Sequence, residues 1–278
     1  MAMKTILVYL PSVKITKNIM AAVANLAARS QAHVIGLHIS PSAPLYGEYA
    51  SEFPPDGLER LIEIGRKHAA RVKQAFEENA KSHHLNYEWR YLDLSYGAGE
   101  EEIVTEARCA DLVICAKSSD DSPDPWSEFP ETAVLQSGRP VLLLPPGSKP
   151  QFGSHVVIAW NNTRESTRAV FDSLDLLRSA ISVQAVTLVE DEDERPFAVA
   201  AGARLIAALS RHGIPAKSEV SFAGNKSAGE ILLSRLTDEG CDLLIMGGYS
   251  RSPLREMIFG GVSRVVLRET WVPTLVSH

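Results

Sequence analysis

Between Cys241 and Val276 the chain reads CDLLIMGGYSRSPLREMIFGGVSRVVLRETWVPTLV, and this stretch holds the residues best placed to do chemistry. An apolar run ending at Met246 stops at Gly247 and Gly248, and a polar stretch follows with Ser250, Arg251 and Arg255. A second glycine pair, Gly260 and Gly261, then opens a helical pattern at Val262, Val265 and Val266, with Ser263 inside it. Strand, loop, glycines and helix start, in that order, build an anion site. The first N–H groups of a helix have no intrahelical acceptor, and the helix dipole favours negative charge beside them. Glycine permits positive φ and lets a phosphate approach with no Cβ in the way. Arg251 and Arg255 supply cationic groups that reach phosphate oxygens. The chemistry is that of a phosphate or nucleotide ligand.

Other residue types give weaker signals. The pair His83-His84 closes an amphipathic helix, where polar or positive groups suit the dipole; His38 ends a strand, and His278 lies at the chain end. Cys109, Cys115 and Cys241 sit in or beside apolar runs without ligand spacing, and read as small core residues of a reduced protein. The acidic run Glu190–Glu194 reads as a solvated loop, and Glu100-Glu101-Glu102 as a favourable helix start. The chain has no G-x-S-x-G elbow, no Walker sequence and no dinucleotide glycine fingerprint after a first strand.

The elements that must position the glycine loop occur twice. In the first half, Thr5–Leu10, His33–Ile39, Tyr87–Leu94, Asp111–Ala116 and Val141–Leu144 read as strands. Helical spacing covers Lys17–Ala28, Gly57–Ser82, Gly99–Arg108 and Glu131–Gln136. The second half replays this order. Its strands are His155–Trp160, Val183–Val189, Ala216–Phe222, Asp242–Met246 and Thr274–Val276, and its helices Glu165–Arg178, Pro196–His212 and Ser227–Thr237. CADLVICA (Cys109–Ala116) echoes GCDLLIMG (Gly240–Gly247), so the chain is a duplication with PPGSKPQFG (Pro145–Gly153) as its linker. The expected domains are residues 1–147 and 154–278. Each is an α/β, Rossmann-like open sheet of five mostly parallel strands with helices on both faces. Continuous apolar strands fit a sheet buried on both sides. Ligands of such sheets bind beyond the C-terminal strand ends, here after Met246 and after Trp160.

At these residues the chain resembles the universal stress proteins in their tandem-domain form, over nearly its whole length. Nucleotide-binding members of that family carry glycine, two residues, glycine, nine residues, glycine, then serine or threonine. Gly247, Ser250, Gly260 and Gly261 hold those positions, with the spacing kept, a serine for the second glycine and a glycine for the terminal hydroxyl residue. A non-glycine residue at a positive-φ position costs on the order of 1 kcal/mol, which the Ser250 hydroxyl offsets if it donates to phosphate. The resemblance implies ATP, with Mg2+, held by the second half. The implied contacts are Ala159, Trp160, Asn161, Val189, Met246, Gly247, Ser250, Arg251, Gly260, Gly261, Val262 and Ser263. Asn161 matches the family's acidic or amide residue near the adenosine; the other reading of it is a cap for the turn before the next helix. Val189 falls where the family packs adenine, and a valine there equally suits the core.

The first half keeps the strands without the site. KSSDDSPDPWSEFPE after Ala116 has no glycine, five acidic residues and three prolines, so it repels phosphate and lacks backbone donors. Only Ser12 offers a polar group near the position that matches Asn161. This half is expected to bind no nucleotide and to pair with the second half, as two subunits do; antiparallel pairing near Val141–Leu144 and Thr274–Val276 serves that end, within the chain or with a second copy in a homodimer. The Pro-rich stretch Ser40–Pro55 reads as an insertion or a partner contact. With 278 residues, 45% hydrophobic content and a net charge of -6, the chain is a globular protein and not a general nucleic-acid binder. MAMKTILVYLP is too short a run for a signal peptide and no stretch approaches a membrane span, so the expected location is cytoplasmic. The leading expectation is a stress-response regulator that binds adenine nucleotide. The alternatives are a nucleotide-free dimerisation and protein-interaction module and, third, a weak ATPase, whose only candidate base beside the loop is Glu256.

Overall fold

The structure, a computed structural model, describes residues 3–40, 57–93, 100–117, 129–222, 227–248, 266 and 269–278. The expectations for residues 41–55, for the acidic stretch 118–128 and for positions 250–263 lie outside these residues. The described chain divides into two compact units. One contains Met3–Arg139 and Pro146–Pro150, the other Pro140–Pro145 and Gln151–His278.

In the first unit, strands β1 (Thr5–Tyr9), β2 (His33–Ser40), β3 (Asn86–Asp93) and β4 (Leu112–Ala116) lie in the order β3-β2-β1-β4, all parallel. Ile6, Leu7 and Val8 are all fully buried, the absence of alternation that a doubly covered strand requires. Helices Val13–Ser30 and Gly57–Ser82 pack on each other, as do Glu100–Arg108 and Phe129–Gln136. Right-handed crossovers leading to β2 and β3 in one direction and to β4 in the other place the two pairs on opposite faces. The Gly57–Ser82 helix lies close because Gly36 lacks a side chain: a Cβ there would stand 2.8 Å from the Phe76 ring.

In the second unit, β5 (Val141–Leu144), β6 (His155–Ala159), β7 (Ser182–Val189), β8 (Lys217–Phe222), β9 (Leu243–Gly247) and β10 (Thr274–Ser277) take the order β5-β10-β9-β6-β7-β8. All neighbours are parallel except β5 and β10, which pair antiparallel through Thr274 with Leu143, Leu275 with Leu142 and Val276 with Val141. The edge that the sequence placed at these residues is therefore paired, and its backbone groups are satisfied. The helix expected over Glu165–Arg178 is two, Arg164–Asp172 and Leu174–Leu177. Buried Ser173 divides them, its hydroxyl donating to the Val170 carbonyl at 2.9 Å, a side-chain bond that competes with helix continuation.

The duplication is visible in details that no apolar pattern encodes. Asp111 accepts from the backbone N–H groups of Lys4 (2.7 Å) and Thr5 (2.9 Å), and Asp242 does the same for Ser154 (3.0 Å) and His155 (2.8 Å), tying the fourth strand of each repeat to its first. Arg90 on β3 pairs with Glu106, and Glu219 on β8 pairs with Arg235, sixteen residues apart in each case and with the charges exchanged. One cysteine departs from expectation. Cys115 and Cys241 are buried, but Cys109 is exposed, because its helix ends at Arg108 and the turn carries it outward. Burial pushes the Cys241 thiol up to about 11.

Candidate functional site

The C-terminal ends of β6 and β9 lie side by side, with Ala159 opposite Met246. Beyond them Trp160 continues the ladder, its backbone N–H donating to Val186 O on β7 at 2.9 Å. From β6 the chain passes to β7 on one side, whereas β9 leads to β10 on the other. This is the switch point of strand order, where open α/β sheets hold ligands. Ala159, Trp160, Met246 and Gly247 are thus brought together. Val189 is buried farther along β7, opposite Phe222, as a core residue.

Gly247 has a structural reason to be glycine besides the phosphate approach expected for it. A Cβ on Gly247 would stand 2.4 Å from Ser166 N, 2.6 Å from the Glu165 carbonyl carbon and 2.9 Å from Glu165 Cβ. The first turn of the Arg164–Asp172 helix therefore crosses the end of β9 backbone against backbone. Register partners in parallel strands share a face and successive residues alternate. Ala159 and Met246 point to one side, so Trp160 and Gly247 face the other, the side of this helix.

That helix begins in a capping box: Ser166 N–H donates to Thr163 Oγ1 at 3.3 Å, and Thr163 N–H to Ser166 Oγ at 3.1 Å. Asn161 is exposed and takes part in the same turn, its Oδ1 accepting from Thr163 Oγ1 at 2.8 Å, while Asn162 adopts a left-handed φ of 56°. The capping reading of Asn161 is thus present in the structure, and only its amide NH2 is left over for a ligand. In the first unit Ser12 is the N-cap, accepting from Ile15 N–H at 3.3 Å. Its counterpart is therefore Thr163, not Asn161.

Trp160 is 6% exposed, and its indole Nε1 is buried without a hydrogen-bond partner. An unpaired buried donor costs about 1–3 kcal/mol and calls for an explanation.

Three residues that the sequence left without a role frame the head of the glycine loop. Glu165 is buried under Gly247, with Oε1 accepting from Arg164 Nε at 3.2 Å. Gly248 N–H donates to Ser277 O at 2.9 Å, and the His278 ring Nδ1 donates to Gly248 O at 3.0 Å. Ser277 Oγ donates to Asp172 Oδ2 at 3.0 Å, which joins the helix to β10. The signal for Glu165 was its place in the first turn of the helix after β6; nothing in the sequence marks Ser277 or His278. Ser250, Arg251, Gly260, Gly261, Val262 and Ser263 lie outside the described residues.

Residues 155–278 match the sequence model of the Universal stress protein family. This half of the chain is similar to a universal stress protein domain. The fold agrees over the whole length. A universal stress protein from Archaeoglobus fulgidus DSM 4304 superposes with a TM-score of 0.72 at 13% identity, covering 98% of this chain and 95% of its own. A protein from Pseudomonas aeruginosa UCBPP-PA14, provisionally assigned to the same family, gives 0.59 at 13% identity, with 99% and 93% covered. A protein of unknown function from Pseudomonas aeruginosa PAO1 gives 0.56 at 12% identity, with 99% and 92% covered. No curated protein matches the chain in sequence. Among the described residues, no helix is long and apolar enough to cross a membrane.

Proposed function

We propose that the chain is a tandem universal stress protein, a stress-response regulator that binds ATP with Mg2+ in its second half and acts by binding rather than by catalysis. Residues 1–147 and 154–278 are its two domains. The observation that carries the reading is the switch point itself: the glycine-spaced stretch leaves β9 from Gly247, directly beside the end of β6. Ala159, Trp160, Asn161, Val189 and Met246 would take the nucleoside, and Gly247, Ser250, Arg251, Gly260, Gly261, Val262 and Ser263 the phosphates.

The first half serves as a pairing domain without nucleotide. In support, the carbonyls at the end of its first strand are already occupied: His38 Nδ1 donates to Leu10 O at 2.7 Å and His68 Nε2 to Pro11 O at 2.9 Å. The two imidazoles have ring centroids 5.5 Å apart, and at the strand position of His38 the second half has Thr187. Calorimetry with MgATP, together with mass spectrometry of small molecules released by heating the purified protein, tests the proposal. Binding is expected, and Gly260→Glu is expected to abolish it; no heat and no released adenine nucleotide refute it. The nucleotide-free interaction module is the second reading. It is favoured by the engagement of Asn161 Oδ1 in the helix cap, and it predicts oligomerisation that is indifferent to ATP.

A further inference from the structure

The two repeats place different side chains at one structural position. Leu10 N–H donates to Leu37 O at 2.8 Å, and Trp160 N–H donates to Val186 O at 2.9 Å, so each residue continues the first strand of its repeat by one step. Leu10 is 0% exposed and Trp160 6% exposed. The fold is therefore satisfied by hydrocarbon at this position, and the indole N–H of Trp160 adds a donor that packing does not require. That donor is buried and unpartnered. It stands at the C-terminal rim of the sheet, on the helix-covered side shared with Gly247, in the repeat that keeps the glycine spacing.

We infer that Trp160 is a specificity residue whose indole N–H donates to an acceptor on the nucleoside end of the bound nucleotide, a base ring nitrogen or a ribose oxygen. The inference rests on the nucleotide reading proposed above. An indole N–H is a donor without an acceptor face and without net charge, so it satisfies an uncharged acceptor and lacks the long-range Coulombic attraction for a polyanion that Arg251 and Arg255 would supply. The reading proposed above gives the phosphates to Gly247 and the glycine-spaced stretch of sequence that follows it. Asn161, its carbonyl oxygen held by Thr163, also presents only donors to a ligand. Two adjacent donors at the end of β6 select a ligand edge rich in acceptors, as a purine nucleoside offers.

The test combines calorimetry with the indole N–H resonance of Trp160 in the full chain, assigned through its backbone neighbours, using ATP, adenosine and inorganic tripolyphosphate as probes. ATP and adenosine are expected to move the Trp160 indole resonance downfield, and tripolyphosphate to leave it in place. Trp160→Phe is expected to weaken ATP and adenosine about fivefold, the loss of one neutral hydrogen bond, with tripolyphosphate unaffected. If ATP binds while the indole resonance stays put and Trp160→Phe binds equally well, the inference is wrong and the nucleotide reading stands. If neither ATP nor adenosine binds the wild-type protein, the nucleotide reading falls and takes the inference with it. Should Trp160→Phe fail to fold, the wild-type indole shift decides alone.

Discussion

Replacing Gly247 with alanine should damage the protein before any ligand is considered. The added methyl group would stand 2.4 Å from Ser166 N and 2.6 Å from the Glu165 carbonyl carbon, both backbone atoms. No rotamer change relieves such a contact; the first turn of the Arg164–Asp172 helix has to move away from β9. Forcing extra volume into a packed site costs about 1–3 kcal/mol, and a backbone obstacle puts Gly247→Ala at the upper end. For a unit of this size each kcal/mol lowers the melting temperature by roughly 3–5 °C, so a fall of about 9–15 °C is expected in differential scanning calorimetry. Gly65→Ala is the matched control. Gly65 sits inside the Gly57–Ser82 helix with only Ser40 Oγ near its Cβ position, at 3.8 Å. Alanine there should stabilise by about 1 kcal/mol, through helix propensity and a less flexible unfolded chain. If Gly247→Ala melts within a degree of wild type while Gly65→Ala behaves as expected, the helix does not cross β9 at this distance and the account of Gly247 is wrong.

Three further outcomes follow from the same structure. Burial holds the His38 imidazole below the ordinary histidine pKa, opposed by its bond to Leu10 O and reinforced by His68. The unfolded chain therefore binds the proton more readily than the folded one. Stability should be full above the ordinary histidine value near 6.5 and should decline as pH falls below it toward the folded value; His38→Asn, which keeps a donor near Leu10 O, should flatten that slope in denaturant titrations. Reversing Glu219 to Arg should destabilise the second unit, and adding Arg235→Glu should recover most of the loss. The first repeat already uses that polarity in Arg90 and Glu106, and a coupling of about 0.5–1 kcal/mol is expected from the partly exposed pair. Among the three thiols, Cys109 should react with a disulfide reagent at neutral pH in the native protein, while buried Cys115 and Cys241 should react only on unfolding.

The sheet was legible because parallel strands buried on both faces leave uninterrupted apolar runs. Val141–Leu144 was read to the residue, and the long helix placed at about Gly57 to Ser82 is found there. What escaped the sequence depends on side chains meeting backbone across long separations. Asp111 and Asp242 looked like the polar first residues of the apolar DLVI and DLLI runs. Their carboxylates in fact hold strand N–H groups more than eighty positions away, a tie that needs the fold before it exists. Ser173 broke a helix that the apolar spacing carried through to Arg178, since its hydroxyl finds the Val170 carbonyl only once the helix has formed. At the site, spacing located Gly247 and tied its small size to a ligand; the helix that passes against it is a second reason for glycine that no spacing encodes.

The two repeats also show how one frame separates structural from ligand-directed chemistry. Positions that the frame needs keep their function under changed residues: Ser12 and Thr163 both cap, and the strand-to-helix ion pair survives with its charges exchanged. Positions that the frame does not need have drifted in a correlated way. Where the first repeat has Leu10, with imidazoles closing the carbonyls beside it, the second has Trp160 with an unpaired donor and an exposed Asn161. Random drift in a packed sheet removes unpaired buried donors, since each weakens the fold by about 1–3 kcal/mol. A donor kept in the repeat that also keeps the glycine spacing is therefore best explained by an acceptor that arrives from outside the chain.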